Sequence, residues 1–186
     1  MFERGFKTWC EKLSLDLRKQ LGKGAISPLD PRELALHLKI RVLRADEIQG
    51  LTPESLTALG APDSGWSAVT LDLPPNKRKL ILLNHMHSEA RQSSDLMHEL
   101  AHHLCNHSPA AFAATEEGHM MLESYSKKDE EEADWLAGCL LLPRPALVHI
   151  KRRVPDLVIA AEQYIVSLAM LKYRLDITGV NYQFKS

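Results

Sequence analysis

Between Ser88 and Cys105 the apolar residues Leu96, Leu100 and Leu104, with Met97 and Ala101 beside them, recur at helical spacing. A stripe of that kind must be buried against a partner surface, so the rest of the chain has to supply one. The same stretch carries His98-Glu99-Leu100-Ala101-His102, which sets two imidazoles one turn apart on a helix with a carboxylate next to the first. Two rings so spaced can hold a single cation.

Other elements follow from cap and breaker residues. Phe2 to about Leu21 has helical spacing through Phe6, Trp9, Cys10, Leu13 and Leu17 and is ended by Gly22 and Gly24. Asp30-Pro31 and Thr52-Pro53 each place a capping side chain before a proline, predicting short helices to about Leu38 and Gly60. Ile40 to Leu43 reads as a strand, and Trp66 to Leu73 and Lys79 to Leu83 read as a hairpin around Leu73-Pro74-Pro75-Asn76-Lys77. Residues 106 to 127 keep no period and predict a long irregular connection. Asp129 to Leu142 is helical again, stopped by Pro143 and Pro145, and Asp156–Tyr164 and Ser167–Leu175 predict two short helices beyond it.

Composition narrows the class. With 186 residues, 45% hydrophobic and 25% charged, the chain fits one globular domain with a small appendage. Lys+Arg 23 against Asp+Glu 24 gives no broad basic field for nucleic acid. The charge is uneven, however: residues 144–186 hold seven Lys/Arg and three Asp/Glu, which suggests a boundary near Pro143 between a body, 1–143, and a helical segment, 144–186. Cys10, Cys105 and Cys139 form no CxxC pair, and charged residues interrupt the N-terminal stretch where a signal peptide needs an apolar run. A cytoplasmic protein is expected.

A catalytic zinc takes three protein donors and keeps one position open, so two histidines predict a third donor elsewhere. A metzincin would need a glycine at 105 and a histidine at 108; Cys105 and Ser108 stand there, and His107 is one residue out of register. The alternative is a carboxylate from the helix opened by Glu130-Glu131-Glu132-Ala133-Asp134. Three adjacent acids usually form a solvated first turn matched to the helix dipole, which is the reading for Glu131. Glu130 is favoured as metal ligand because Asp134 follows four residues on, placed to accept the free N–H of His98 or His102, and the row continues through Ala137 to Leu141 toward a core. Glu132 competes, since its row runs through Leu136 and Leu140. Glu99 is then the catalytic base of metal-assisted hydrolysis.

The other signals are weaker. His119 and Tyr125 are the available second donors to an oxyanion, each more readily a surface residue. His37, His85, His87, His103 and His149 read as surface or satisfied structural histidines, and Lys77-Arg78-Lys79 and Lys151-Arg152-Arg153 as solvated faces. The pair of C-terminal helices hints at a helix-turn-helix, but Leu157, Ile159, Ala160, Tyr164, Val166, Leu168, Met170 and Leu171 look like packing residues, so direct DNA binding is not expected.

With these residues in place the chain resembles the ImmA/IrrE family of zinc metallopeptidases from about Leu13 to Gln183. The resemblance rests on Leu80-Ile81-Leu82-Leu83-Asn84, then Arg91, then the motif ending His102-His103-Leu104, and on Glu130-x-Glu132-Ala133-Asp134-x-x-Ala137-x-x-Leu140-Leu141-x-Pro143. It implies a thermolysin-like site with His98, His102 and Glu130 as zinc ligands and Glu99 as base. It also implies an anti-repressor that cleaves a helix-turn-helix transcriptional repressor. Asp134 and Leu136 stand where the family more often has asparagine and phenylalanine, and the basic C-terminal segment resembles only a subset. The expected fold is α+β: a mainly helical zincin-like domain with a small, mostly antiparallel sheet and a C-terminal helical segment. The competing function is a metal-binding module that docks to a DNA-binding repressor without cutting it.

Overall fold

A computed structural model describes residues 2–61, 65–73, 78–107, 112–114, 120–122 and 126–184. Helix α1 (Phe6–Gln20) leads to α2 (Pro31–His37), whose N-terminus is capped by Asp30 accepting from the Arg32 N–H. Strand β1 (Arg41–Arg44) is followed by a 3-10 turn, Ala45–Glu47, and by α3 (Pro53–Gly60), capped by Thr52. Strands β2 (Ala68–Leu73) and β3 (Arg78–Leu83) precede the long helix α4 (Glu89–Leu104), whose cap Ser88 accepts from Arg91 N–H. A strand pair, β4 (Phe112–Ala114) and β5 (Met120–Leu122), separates α4 from α5 (Lys127–Leu141). Helices α6 (Arg144–Arg153), α7 (Leu157–Gln163), α8 (Leu168–Ile177) and α9 (Val180–Gln183) complete the described chain.

The main sheet has the order β1-β3-β2. β1 runs parallel to β3, pairing Arg41 with Leu80 and Arg44 with Leu83, while β2 is antiparallel to it, pairing Ala68 with Leu83 and Leu73 with Arg78. The expected hairpin is therefore present, with its turn residues 74–77 outside the described ones. Two of the three strand pairings among the described residues are antiparallel, and the molecule is the expected mainly helical α+β domain.

The stripe of α4 is buried as its periodicity requires: Leu96, Met97, Leu100 and Ala101 are each at most 1% exposed and pack with Ile81 and Leu83 of β3 and with Leu136 and Leu140 of α5. The C-terminal helices join the same core through Leu147, Ile150, Leu171 and Leu175.

Three expectations need correction. The connection after α4 is not wholly irregular, because β4 and β5 pair within it; three-residue strands are too short to leave an alternating pattern. The prolines at 143 and 145 do not simply stop a helix. They begin α6, since a helix's first turn has no use for the N–H that proline lacks. α5 begins at Lys127 rather than Asp129, because Ser126 caps it by accepting from the Asp129 N–H.

The C-terminal end of α5 is held in an unusual way. It has no basic residue in its last turn, and its final carbonyls are reached by donors from other helices. Ser14 Oγ donates to Cys139 O at 2.7 Å, Arg18 Nη2 to Leu140 O at 2.7 Å and Arg174 Nη2 to Leu142 O at 3.1 Å. Both guanidinium groups are buried, and burial pulls the Arg18 pKa down to about 10. Gly138 makes room for this clamp: a Cβ there would lie 2.8 Å from Arg174 Cδ.

Candidate metal centre

The two crossing helices α4 and α5 bring the predicted residues together. His98 Nε2 and His102 Nε2 lie 3.0 Å apart, and Glu130 places its carboxylate oxygens 3.2 Å from the first and 3.7 Å from the second. The helical spacing of four accounts for the first contact, and the pairing of α4 with α5 for the second. Glu132 lies elsewhere, with Oε2 3.3 Å from His107 Nε2.

Asp134 Oδ1 accepts from His98 Nδ1 at 2.9 Å, the contact that its spacing from Glu130 predicts. The expectation that both carboxylates face the core is not met: the Glu130 side chain is 44% exposed and that of Asp134 74%. Their helical row does enter the core further along, at Ala137 and Leu141, whereas at Glu130 and Asp134 it lies on a rim. His102 is on the buried side of this rim, its side chain 3% exposed.

The electrostatics follow from that placement. Burial works to lower the His98 pKa, but its hydrogen bond to Asp134 and the charges of Asp134, Glu130 and Glu99 outweigh it and raise the net value. Burial, and then the neighbouring His98 and His107, pull His102 down to about 3, so this ring is neutral. Three donor atoms facing one another require positive charge between them. A proton on His98 is one way to supply it, and a divalent cation is the other. Two imidazoles and a carboxylate suit zinc and several other divalent ions, so the donor set fits a metal.

Glu99 is half-buried beside this cluster. Burial raises its pKa, opposed by a hydrogen bond from Thr70 and by the charge of His98. Thr70 Oγ1 is the donor to Glu99 Oε2, and it sits on β2, an edge strand of the main sheet. The residues just before that strand are held from two sides: Asn84, after β3, donates through Nδ2 to Trp66 O at 3.1 Å, and Arg91 of α4 through Nη2 to Ser67 Oγ at 3.1 Å.

Among the remaining residues, His119 and Tyr125 fall outside the described ones. His37 contacts Gln20 Oε1 at 3.1 Å and His87 contacts Asp95 at 3.0 Å, so both are satisfied. His85 is not, since its buried Nδ1 has no hydrogen-bond partner among the described residues. Sequence reasoning overlooked Thr70, whose contact crosses from a strand to α4, and the part that His107 plays beside His102 at the end of α4 itself.

The family is settled by comparison with known proteins. The model of the Peptidase_M78 family, the IrrE N-terminal-like domain, matches residues 37–176, so this chain belongs to that family of metallopeptidases. No curated protein sequence matches the chain. Among solved structures, it is similar to a Mycobacterium tuberculosis transcriptional regulator at TM-score 0.50 and 12% identity, over 94% of this chain and 47% of that one. At that identity the likeness concerns the fold alone, and this chain spans about half the length of the solved one.

Proposed function

We propose that the protein is a zinc-dependent endopeptidase of narrow specificity, acting in the cytoplasm on a helix-turn-helix repressor. The observation that carries this reading is the convergence of His98 Nε2, His102 Nε2 and the Glu130 carboxylate, all within 4.8 Å of one another, next to the half-buried carboxyl of Glu99, whose pKa is raised. Zinc held by these three residues would supply an activated water and polarise the scissile carbonyl.

The chain's own groups have separate tasks. Asp134 holds the His98 ring so that Nε2 faces the cluster. Glu99 takes a proton from the attacking water and delivers it to the leaving amine, for which a carboxyl pKa shifted toward neutrality is favourable. Thr70 fixes the orientation of Glu99, and because β2 has a free edge among the described strands, an extended peptide added there would run past Glu99. The C-terminal segment, 144–186, is in this proposal a subdomain that helps select the substrate, direct DNA contact having no part. Membership in a peptidase family supports a protein substrate, and the name of the solved structure that shares the fold, a transcriptional regulator, is what suggests a regulatory one.

Glu99→Gln separates cleavage from docking. Zinc uptake, measured by elemental analysis, should be retained, while cleavage of a candidate repressor encoded beside this reading frame should fall by roughly 100-fold or more. Unchanged cleavage with metal retained would reject the peptidase mechanism.

A further inference from the structure

His107 has a role that its position outside the HExxH motif conceals. Helix α4 ends at Cys105, and Asn106 adopts the left-handed conformation at φ 56. The Asn106 N–H then donates to His103 O at 3.1 Å and the His107 N–H to His102 O at 3.0 Å. This pair of bonds is a Schellman turn, and it folds the second residue past the helix end back onto the residue three from the end, usually as an apolar contact. Here both residues are histidines. Their Nδ1 atoms lie 2.9 Å apart, with ring centroids 5.0 Å apart and planes inclined by 68°.

A neutral imidazole carries one N–H, so this bond exists only if one Nδ1 holds a proton and the other does not. The far side of each ring decides which. His107 Nε2 faces Glu132 Oε2 at 3.3 Å and Asp129 Oδ1 at 3.7 Å. Ionised carboxylates only accept, so Nε2 of His107 must carry its proton and Nδ1 must accept. Lys128 Nζ lies 3.6 Å from the other oxygen of that carboxylate, Glu132 Oε1. His102 is therefore protonated at Nδ1, and its Nε2 lone pair is directed at His98 and Glu130. The reverse assignment would aim an N–H into the cluster and a lone pair at a carboxylate.

We propose that His107 is a positioning residue for the metal centre, accepting the Nδ1 proton of His102 and passing the orientation on to Glu132 and Asp129. His98 is oriented by a carboxylate directly, through Asp134, and His102 by a histidine that is itself oriented by carboxylates. The arrangement rests on the metal reading proposed above. It also makes His107 unfit to ligate an ion of its own while His102 does so, because a neutral His107 with a metal on Nε2 would turn a second N–H toward the one on His102.

The test is zinc affinity by competition with a chromophoric chelator, with ring tautomers read from two-bond proton–nitrogen spectra of histidine-labelled, zinc-loaded protein. His107→Phe should weaken zinc binding by roughly 10- to 100-fold, the range seen when the hydrogen-bond partner of a ligand is removed. His107→Asn, whose side-chain oxygen stands where Nδ1 stood, should recover most of that loss and keep His102 protonated at Nδ1. Should the phenylalanine variant fail to fold, Glu132→Gln tests the same chain of contacts, with a smaller loss of affinity expected. Wild-type affinity in all three variants would overturn the proposal. So would an asparagine variant no better than a folded phenylalanine one, or loss of a second equivalent of zinc with the first unaffected, which would make His107, Asp129 and Glu132 a cation site of their own. If wild-type protein takes up no zinc, or if His98→Ala leaves uptake undiminished, the metal reading fails and the inference fails with it. If His98→Ala abolishes uptake and the His107 variants do not affect it, only the inference fails.

Discussion

The two ends of α5 meet the same physical problem and solve it oppositely. At the C-terminal end, buried carbonyls of Cys139, Leu140 and Leu142 receive donors from Ser14, Arg18 and Arg174, although Arg174 Nε and Nη1 find no hydrogen-bond partner among the described residues. At the N-terminal end, Glu130 meets two imidazole nitrogens that are donors to a metal more readily than to each other. The difference teaches that one end of the helix is held by donors of the protein itself, while the other gathers imidazole and carboxylate acceptors that a cation would suit.

The largest expected effect falls on the clamped end. Arg174→Leu removes the donor to Leu142 O and the partner of Glu11 at 3.2 Å, and should cost about 3 kcal/mol of stability, a fall in Tm of roughly 6–12 °C. The comparison breaks if thermal unfolding of the variant matches that of the wild type. Next comes the open end: zinc at about a hundredfold excess over its Kd should stabilise the wild-type protein by about 2.7 kcal/mol, and His98→Ala should abolish that gain. Equal metal-induced shifts in Tm for both proteins would move the ion away from this cluster.

Gly138→Ala should destabilise by about 1–3 kcal/mol, since the added carbon meets Arg174 Cδ and displaces a guanidinium that is 1% exposed. Chemical denaturation measures this, and a neutral result would mean that Arg174 is free to shift. The smallest effect belongs to Asp134→Ala, expected to weaken zinc binding by about tenfold, the low end of the usual range because this carboxylate is 74% exposed. Chelator competition giving no change would show that the rim geometry alone orients His98.

The sequence made the open end far easier to read than the clamped one. His98, Glu99, His102, Glu130 and Asp134 are legible because helical spacing of three or four residues places them, and Asp30 and Thr52 announced their helices because a cap acts on N–H groups two or three residues away. Arg18 and Arg174 gave no such signal. Each looks like a surface cation in its own helix and is buried only because α1 and α8 meet the end of α5. Thr70 was hidden for the same reason, being one residue of a strand that touches Glu99 across 29 positions of chain. His107 was set aside on register alone, although Asn106 before it is a residue that tolerates the left-handed turn needed to bring it back.

One helix connects both ends, and that makes it a lever. Glu130 and Leu142 are twelve residues apart, about 18 Å along a continuous helix axis. A tilt of roughly 5° at the arginine end would swing the far carboxylate by about 1.6 Å, well beyond the ±0.2 Å within which a coordination bond must be held. On the metal reading, the accuracy of the donor set is thus governed remotely, by two guanidinium groups at the opposite end of α5.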